Sequence, residues 1–210
     1  MARWGKTDFE QLKELQHKLE KLQKVDVDKF CTEASKELAA RLLALVIPRT
    51  PVGQKPKLQG PKTVKVKGES GKSRSFLTAE AARIEEYWGG YMGGTLRRGW
   101  IAKTEAEAQN GKGSPTAAQA AAYAQSLPVQ KSGGRYTIQV VNPVKYASYV
   151  EFGHRQTPGR YVPALGKRLK EGWVDGQYFL TLSEEELERI APSMLQAKLD
   201  KFLREVFNDG

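Results

Sequence analysis

The groups in this chain that could carry a reaction are few and do not converge. Its two histidines are His17 and His154, its single cysteine is Cys31, and Glu85 and Glu86 form the most suggestive acidic pair. One cysteine excludes an internal disulfide and any multi-cysteine metal site. A pair of carboxylates could divide general acid and base work between them, but neighbours on a helix point about 100° apart and cannot meet on one substrate atom. Gly89-Gly90-Tyr91-Met92-Gly93-Gly94 is rich enough in glycine to cradle a phosphate, yet no Lys-Ser/Thr follows it. His154, beside Arg155, reads as a loop residue rather than a general base. The inventory points away from an enzyme and calls for no cofactor and no metal.

Contact chemistry is better represented. Tyr136, Ile138 and Val140 alternate with Thr137 and Gln139, the period of a strand with one buried face, and Asn142-Pro143 ends it. The run Tyr146-Ala147-Ser148-Tyr149-Val150-Glu151-Phe152-Gly153-His154 follows at once. Tyr146, Tyr149 and Val150 fall at i, i+3 and i+4, so a turn or two of helix places them on one side, and Gly153 can close it in a left-handed conformation. Taken alone, these aromatics could equally be ordinary core.

The run from Tyr146 to Gly153 resembles the Tyr-Ala-x-Tyr-Val-Glu-x-Gly signature of a family of tail-completion, or head-to-tail joining, proteins of long-tailed bacteriophages. Thr50-Pro51-Val52-Gly53 and Gly94-Thr95-Leu96-Arg97-Arg98-Gly99-Trp100 are similar to two further blocks of that family, and Tyr178-Phe179-Leu180 to its aromatic-Phe-Leu element. The resemblance runs from 34 to 207, with residues 1–25 as a helical extension. Segments 54–93 and 154–177 separate blocks that are normally adjacent and read as loop insertions in a single domain, which chain entropy tolerates. Partner-specific surfaces often sit in such loops. The resemblance implies a virion protein at the head-to-tail interface, made in the host cytoplasm. It would act as a homo-oligomeric ring, a hexamer first, touching the tail tube or tail terminator and the head connector.

Composition is that of a globular chain: 210 residues, 40% hydrophobic and 28% charged. No apolar run is long enough to span a membrane, and the N-terminus shows no signal core. The net charge of +10 is unevenly placed. Between 48 and 75, Arg49, Lys55, Lys57, Lys62, Lys65, Lys67, Lys72 and Arg74 face Glu69 alone, whereas residues 176–210 carry an acidic excess that includes Glu184, Glu185 and Glu188. The basic loop has three readings: a solvated segment, a site for the phosphates of nucleic acid, or a contact for an acidic protein face. It carries no aromatic on which a base could stack before Phe76. Lys55, Lys57, Lys62, Lys65, Lys67, Lys72 and Arg74 on one side and Glu184, Glu185 and Glu188 on the other are therefore candidate complementary contacts, with non-specific DNA binding through the lysines as the alternative.

The expected architecture is α+β, a small antiparallel sheet flanked by N- and C-terminal helices. Phe9, Leu12, Leu15, Leu19 and Leu22 form one amphipathic stripe, and Phe30, Ala34, Leu38, Leu42 and Leu45 a second that ends at Pro48 and packs on the sheet. Leu96 to Lys103 alternates as a strand that pairs with 135–141. Lys62 to Lys67 suggests a hairpin arm, Leu77 to Trp88 a helix, and Thr116 to Leu127 an alanine-rich surface helix. A short helix is expected from Ala164 to Glu171. Ser183-Glu184-Glu185-Glu186 reads as a capping box opening the last helix, which Pro192 should kink.

Overall fold

In a computed structural model, the described residues are 27–68 and 71–208, together with Lys13 and Glu20, and side chains are described as far as Glu205. The stripe between Phe9 and Leu22, and His17, lie outside them.

The fold is α+β. Helix α1 (Val27–Arg49) runs through its centre and buries Ala34, Ala39, Leu43, Val46 and Ile47. This stripe keeps helical spacing but lies one position along from the expected Leu38, Leu42 and Leu45, which are half-buried. The hairpin of β1 (Thr63–Lys67) and β2 (Ser73–Leu77) comes next, then α2 (Ala79–Trp88) and three short helices. These are α3 (Thr95–Gly99), α4 (Glu105–Asn110) and α5 (Ala117–Ser126). Strands β3 (Val129–Ser132) and β4 (Arg135–Ile138) make a second hairpin, followed by α6 (Ala147–Phe152). A loop with β5 (Gly153–Arg155), β6 (Tyr161–Val162), β7 (Lys167–Arg168) and β8 (Trp173–Asp175) leads to the last helix, α7 (Phe179–Asn208).

Instead of one sheet there are four two-stranded antiparallel ladders among the described residues: β1 with β2, β3 with β4, β5 with β8, and β6 with β7. The expected strand 96–103 is helix α3 and a turn, so 135–141 does not pair with it; Arg135–Ile138 pairs with Val129–Ser132 instead. The cause lies in α3, where Leu96 and Trp100, four apart, are both buried in the core. Alternation over so short a run did not separate that helical pair from a strand face.

Consequently α1 does not rest on a broad sheet but packs on helices α5 and α7. Ala120 and Ala124 of α5 are fully covered, because small side chains let two helices approach closely. Thr116 and Gln119 close a capping box at the start of α5. Lys36 Nζ reaches the Gln125 carbonyl at 2.7 Å, Lys198 pairs with Glu37 at 2.8 Å, and the rings of Phe30 and Phe202 lie 4.8 Å apart.

Two local expectations fail at the C-terminal side. Residues 164–171 form a turn and strand β7, because β6 and β7 close a hairpin there. Helix α7 begins at Phe179, four residues before Ser183, whose hydroxyl donates back to the Phe179 carbonyl at 2.6 Å and caps nothing. The helix then continues through Pro192.

Candidate interaction site

The four sequence blocks, scattered over 130 positions of chain, meet around the start of α7. Thr50 is buried just past α1; its hydroxyl donates to the Val46 carbonyl at 2.7 Å and accepts from the Trp100 indole Nε1 at 2.7 Å. Trp100 in turn packs edge-on against Phe179, with ring centroids 6.1 Å apart. Thus Thr50, Trp100 and Phe179 join three blocks through one buried hydroxyl and one ring contact.

The two arginines of the second block serve the backbone. Arg97 donates to the carbonyls of Thr50 at 2.8 Å and Pro48 at 3.0 Å, taking up acceptors that the end of α1 leaves open. Arg98 is 8% exposed and donates to the carbonyls of Ala108, Gly93 and Gly113 at 2.7, 2.8 and 3.1 Å. A buried charge persists only where its donors are met, and here carbonyl oxygens meet them.

The signature helix α6 presents its aromatics outward and its acid inward. Tyr146, Tyr149 and Phe152 are exposed, while Glu151 is 3% exposed. The Glu151 carboxylate accepts from the Leu180 and Thr181 amides, both at 2.9 Å, and from the Thr181 hydroxyl at 2.8 Å. It therefore caps α7 from another element, placing a negative charge where the helix dipole is positive. Sequence reasoning missed this role and assigned the cap to Ser183; the signal available was an acid inside an apolar short helix, i+1 from Val150.

Gly153 ends α6 at φ 85°, ψ 174°, a region essentially confined to glycine. A Cβ there would strike the Val174 carbonyl and come within 2.9 Å of the Gly176 nitrogen. The Gln177 and Tyr178 amides donate to the Val150 and Glu151 carbonyls at 2.8 and 3.1 Å, so the chain entering α7 is stitched to α6 along its backbone.

Between these blocks opens an aromatic groove of about 600 Å³, lined among others by Pro51, Val52, Trp88, Tyr91, Tyr146 and Val150. Burial raises the Tyr146 hydroxyl above its ordinary pKa, with Tyr91 and Glu105 adding to the shift. The groove wall carries the hydroxyls of Tyr91, Thr95 and Tyr146, and among the described residues that line it there is no histidine, cysteine or carboxylate. His154 packs edge-on to Tyr149 with centroids 6.0 Å apart, and its Nδ1 is buried without a hydrogen-bond partner among the described residues. Glu85 and Glu86 are exposed on α2. Among the described residues no group of three or more His, Cys, Asp or Glu could hold a metal ion, and no helix is long and apolar enough to cross a membrane.

The charged candidates occupy two separate places. Lys55, Lys57, Lys62, Lys65, Lys67, Lys72 and Arg74 are all exposed, the last five at or in the β1–β2 hairpin. Glu184, Glu185 and Glu188 are exposed on the first turns of α7. No ion pair joins the two sets within the chain among the described residues; Arg49, from the basic stretch, instead pairs with Glu186.

Buried side chains directed at the backbone hold the frame, and aromatic and charged surfaces lie outside it. A family model described as "Bacteriophage HK97-gp10, putative tail-component" matches residues 13–153, about two thirds of the chain, and the protein belongs to that family of phage tail components. The matched span takes in the Thr50, Gly94 and Tyr146 blocks and stops at Gly153, short of Tyr178-Phe179-Leu180. No curated protein and no solved structure matches the chain.

Proposed function

We propose that this tail component completes the head-proximal end of the tail and joins it to the head connector, as a ring of identical subunits in the virion. The observation that carries the reading is the inversion at α6: its acid is spent inside, capping α7, while Tyr146, Tyr149 and Phe152 are exposed. Exposed clustered aromatics are the composition of a protein interface core rather than of a solvent-facing surface. Each subunit also carries two unlike charged surfaces, and contacts between unlike patches generate rings when the rotation closes. Segments 54–93 and 154–177 act as insertions that adapt the contact surface to particular neighbours. The chain is structural, not catalytic.

The test is complementation. Lysates of a phage lacking this chain should accumulate separate heads and tails, and the purified protein should join them into infectious particles. Tails of irregular length, or particles already joined without it, would remove the reading. Tight DNA binding that falls steeply with salt, together with normal joining in its absence, would favour the phosphate-binding alternative.

A further inference from the structure

Helix α1 is covered on one side and open on another. Its buried Ala39, Leu43, Val46 and Ile47 face the core, whereas Phe30, Leu38, Leu42 and Leu45 are each half-buried. At 100° per residue these four fall within an arc of about 120° that excludes the core-facing residues. Along this face, where α7 lies beside α1, runs a groove of about 420 Å³. Cys31, Ala34 and Leu38 of α1, Tyr136 of β4, and Leu195 and Leu199 of α7 are among its lining. The groove begins close to where the continuous described chain begins: Val27 opens α1 one turn ahead of Cys31. Before it, Lys13 and Glu20 are described, both helical and both exposed. Seven positions apart, they share one side of a helix, and the stripe of Phe9, Leu12, Leu15, Leu19 and Leu22 is turned roughly a third of a turn from them. A helix of that length is marginal in water unless its apolar face is covered.

We propose that segment 9–22 is a helix that folds back antiparallel on α1 of its own chain and lays its leucine stripe in this groove. The four residues 23–26 match the two to five that join antiparallel helices, and Asp26, directly ahead of Val27, is of a type favoured as an N-cap, so α1 can start afresh after the turn. Counted back from that turn, Leu19 falls beside Phe30 and Cys31, Leu15 beside Ala34, and Leu12 beside Leu38. The lengths agree: Leu12 to Leu19 and Cys31 to Leu38 each rise about 10 Å along a helix. So short a tether holds the stripe beside its own groove at an effective concentration on the order of millimolar, which selects it over a second copy or a separate partner. The contact lies within one subunit and is independent of the ring.

The test uses the full chain and takes Cys31, in the groove, as its probe. Alkylation of Cys31 by a maleimide should be slow, and Leu12→Asp/Leu15→Asp/Leu19→Asp should speed it at least tenfold while the remaining fold still melts cooperatively. Leu19→Cys, treated with a short bismaleimide at high dilution, should link to Cys31 within one chain, read as a monomer-sized product and a joined peptide pair in the mass spectrum. Lys13→Cys, off the stripe and further along it, should link at least tenfold less. Should the triple variant fail to fold, the cross-links decide alone. An unchanged Cys31 rate in the folded triple variant, or equal yields from the two cysteine positions, would mean a segment that does not dock and overturns the proposal. Links that join two chains in place of one would seat the stripe on a second copy and overturn it as well.

Discussion

The Glu151 carboxylate binds both the amide and the hydroxyl of Thr181, at 2.9 and 2.8 Å, so the signature helix α6 holds the first turn of α7. Glu151→Ala leaves those amides unpaired in a buried place. Removing a cap and stranding its donors costs about 2–3 kcal/mol, and Glu151→Gln, which keeps an acceptor, about 1 kcal/mol. Urea unfolding of the two variants should rank them in that order.

Thr50 and Trp100 make a second junction, at 2.7 Å. Thr50→Val preserves shape but strands the buried indole N–H, with an expected loss of about 1–3 kcal/mol, whereas Thr50→Ser keeps the hydroxyl and should cost less. Comparison of their urea midpoints, with unchanged slopes, checks the assignment.

Gly153→Ala combines a disfavoured conformation with a collision against the Val174 carbonyl. A loss of at least about 2 kcal/mol is expected, or a failure to accumulate folded protein. Gly159→Ala, also at positive φ but with open space around it, should cost less, so thermal melts of the pair separate crowding from backbone preference.

Stability should decline on the acid side through two exposed junctions. Hydrogen bonding to Arg49 lowers the Glu186 pKa, and hydrogen bonds from Lys131 and then Tyr136 lower that of Asp28. Each folded value lies below the unfolded one, so the contribution is fully present above the ordinary carboxyl range, at about pH 4, and is lost as pH falls through the depressed values. Glu186→Gln and Asp28→Asn should each flatten the acid limb of a stability profile, with little change in its shape near neutrality.

What the sequence made legible was local. Helix α1, the hairpin arm at 62–67, helix α2, the alanine helix α5 and the Gly153 stop follow from spacing and punctuation within a few residues, but the buried stripe of α1 lies one position along from the expected one, and α5, expected at the surface, buries Ala120 and Ala124 against α1. What it hid depended on distance along the chain. Ser183 satisfied the local pattern of a cap, but Glu151, some thirty positions upstream, supplies the real one. Likewise alternation puts Arg98 on one strand face with Leu96, Trp100 and Ala102, yet in the helical turn its guanidinium gathers the carbonyls of Gly93, Ala108 and Gly113. The aromatic groove forms where Pro51, Trp88 and Tyr146 meet.

The hairpin should be dispensable for folding. Replacing residues 64–76 with a short Gly-Ser turn removes only exposed side chains among the described residues and leaves Thr78 to cap α2. The melting free energy should change by less than about 1 kcal/mol, as for surface changes generally. Incorporation into particles should nevertheless be lost, because segment 54–93 adapts the contact surface in the proposed function; a shortened chain that assembles normally would contradict that assignment.

The most direct measurement is the position of this chain in the particle. Purified virions bearing a dense label fused to this protein should show the label at the head-proximal end of every tail, arranged as a closed ring about the tail axis. Label along the tube, at the distal tip or inside the head would contradict the account.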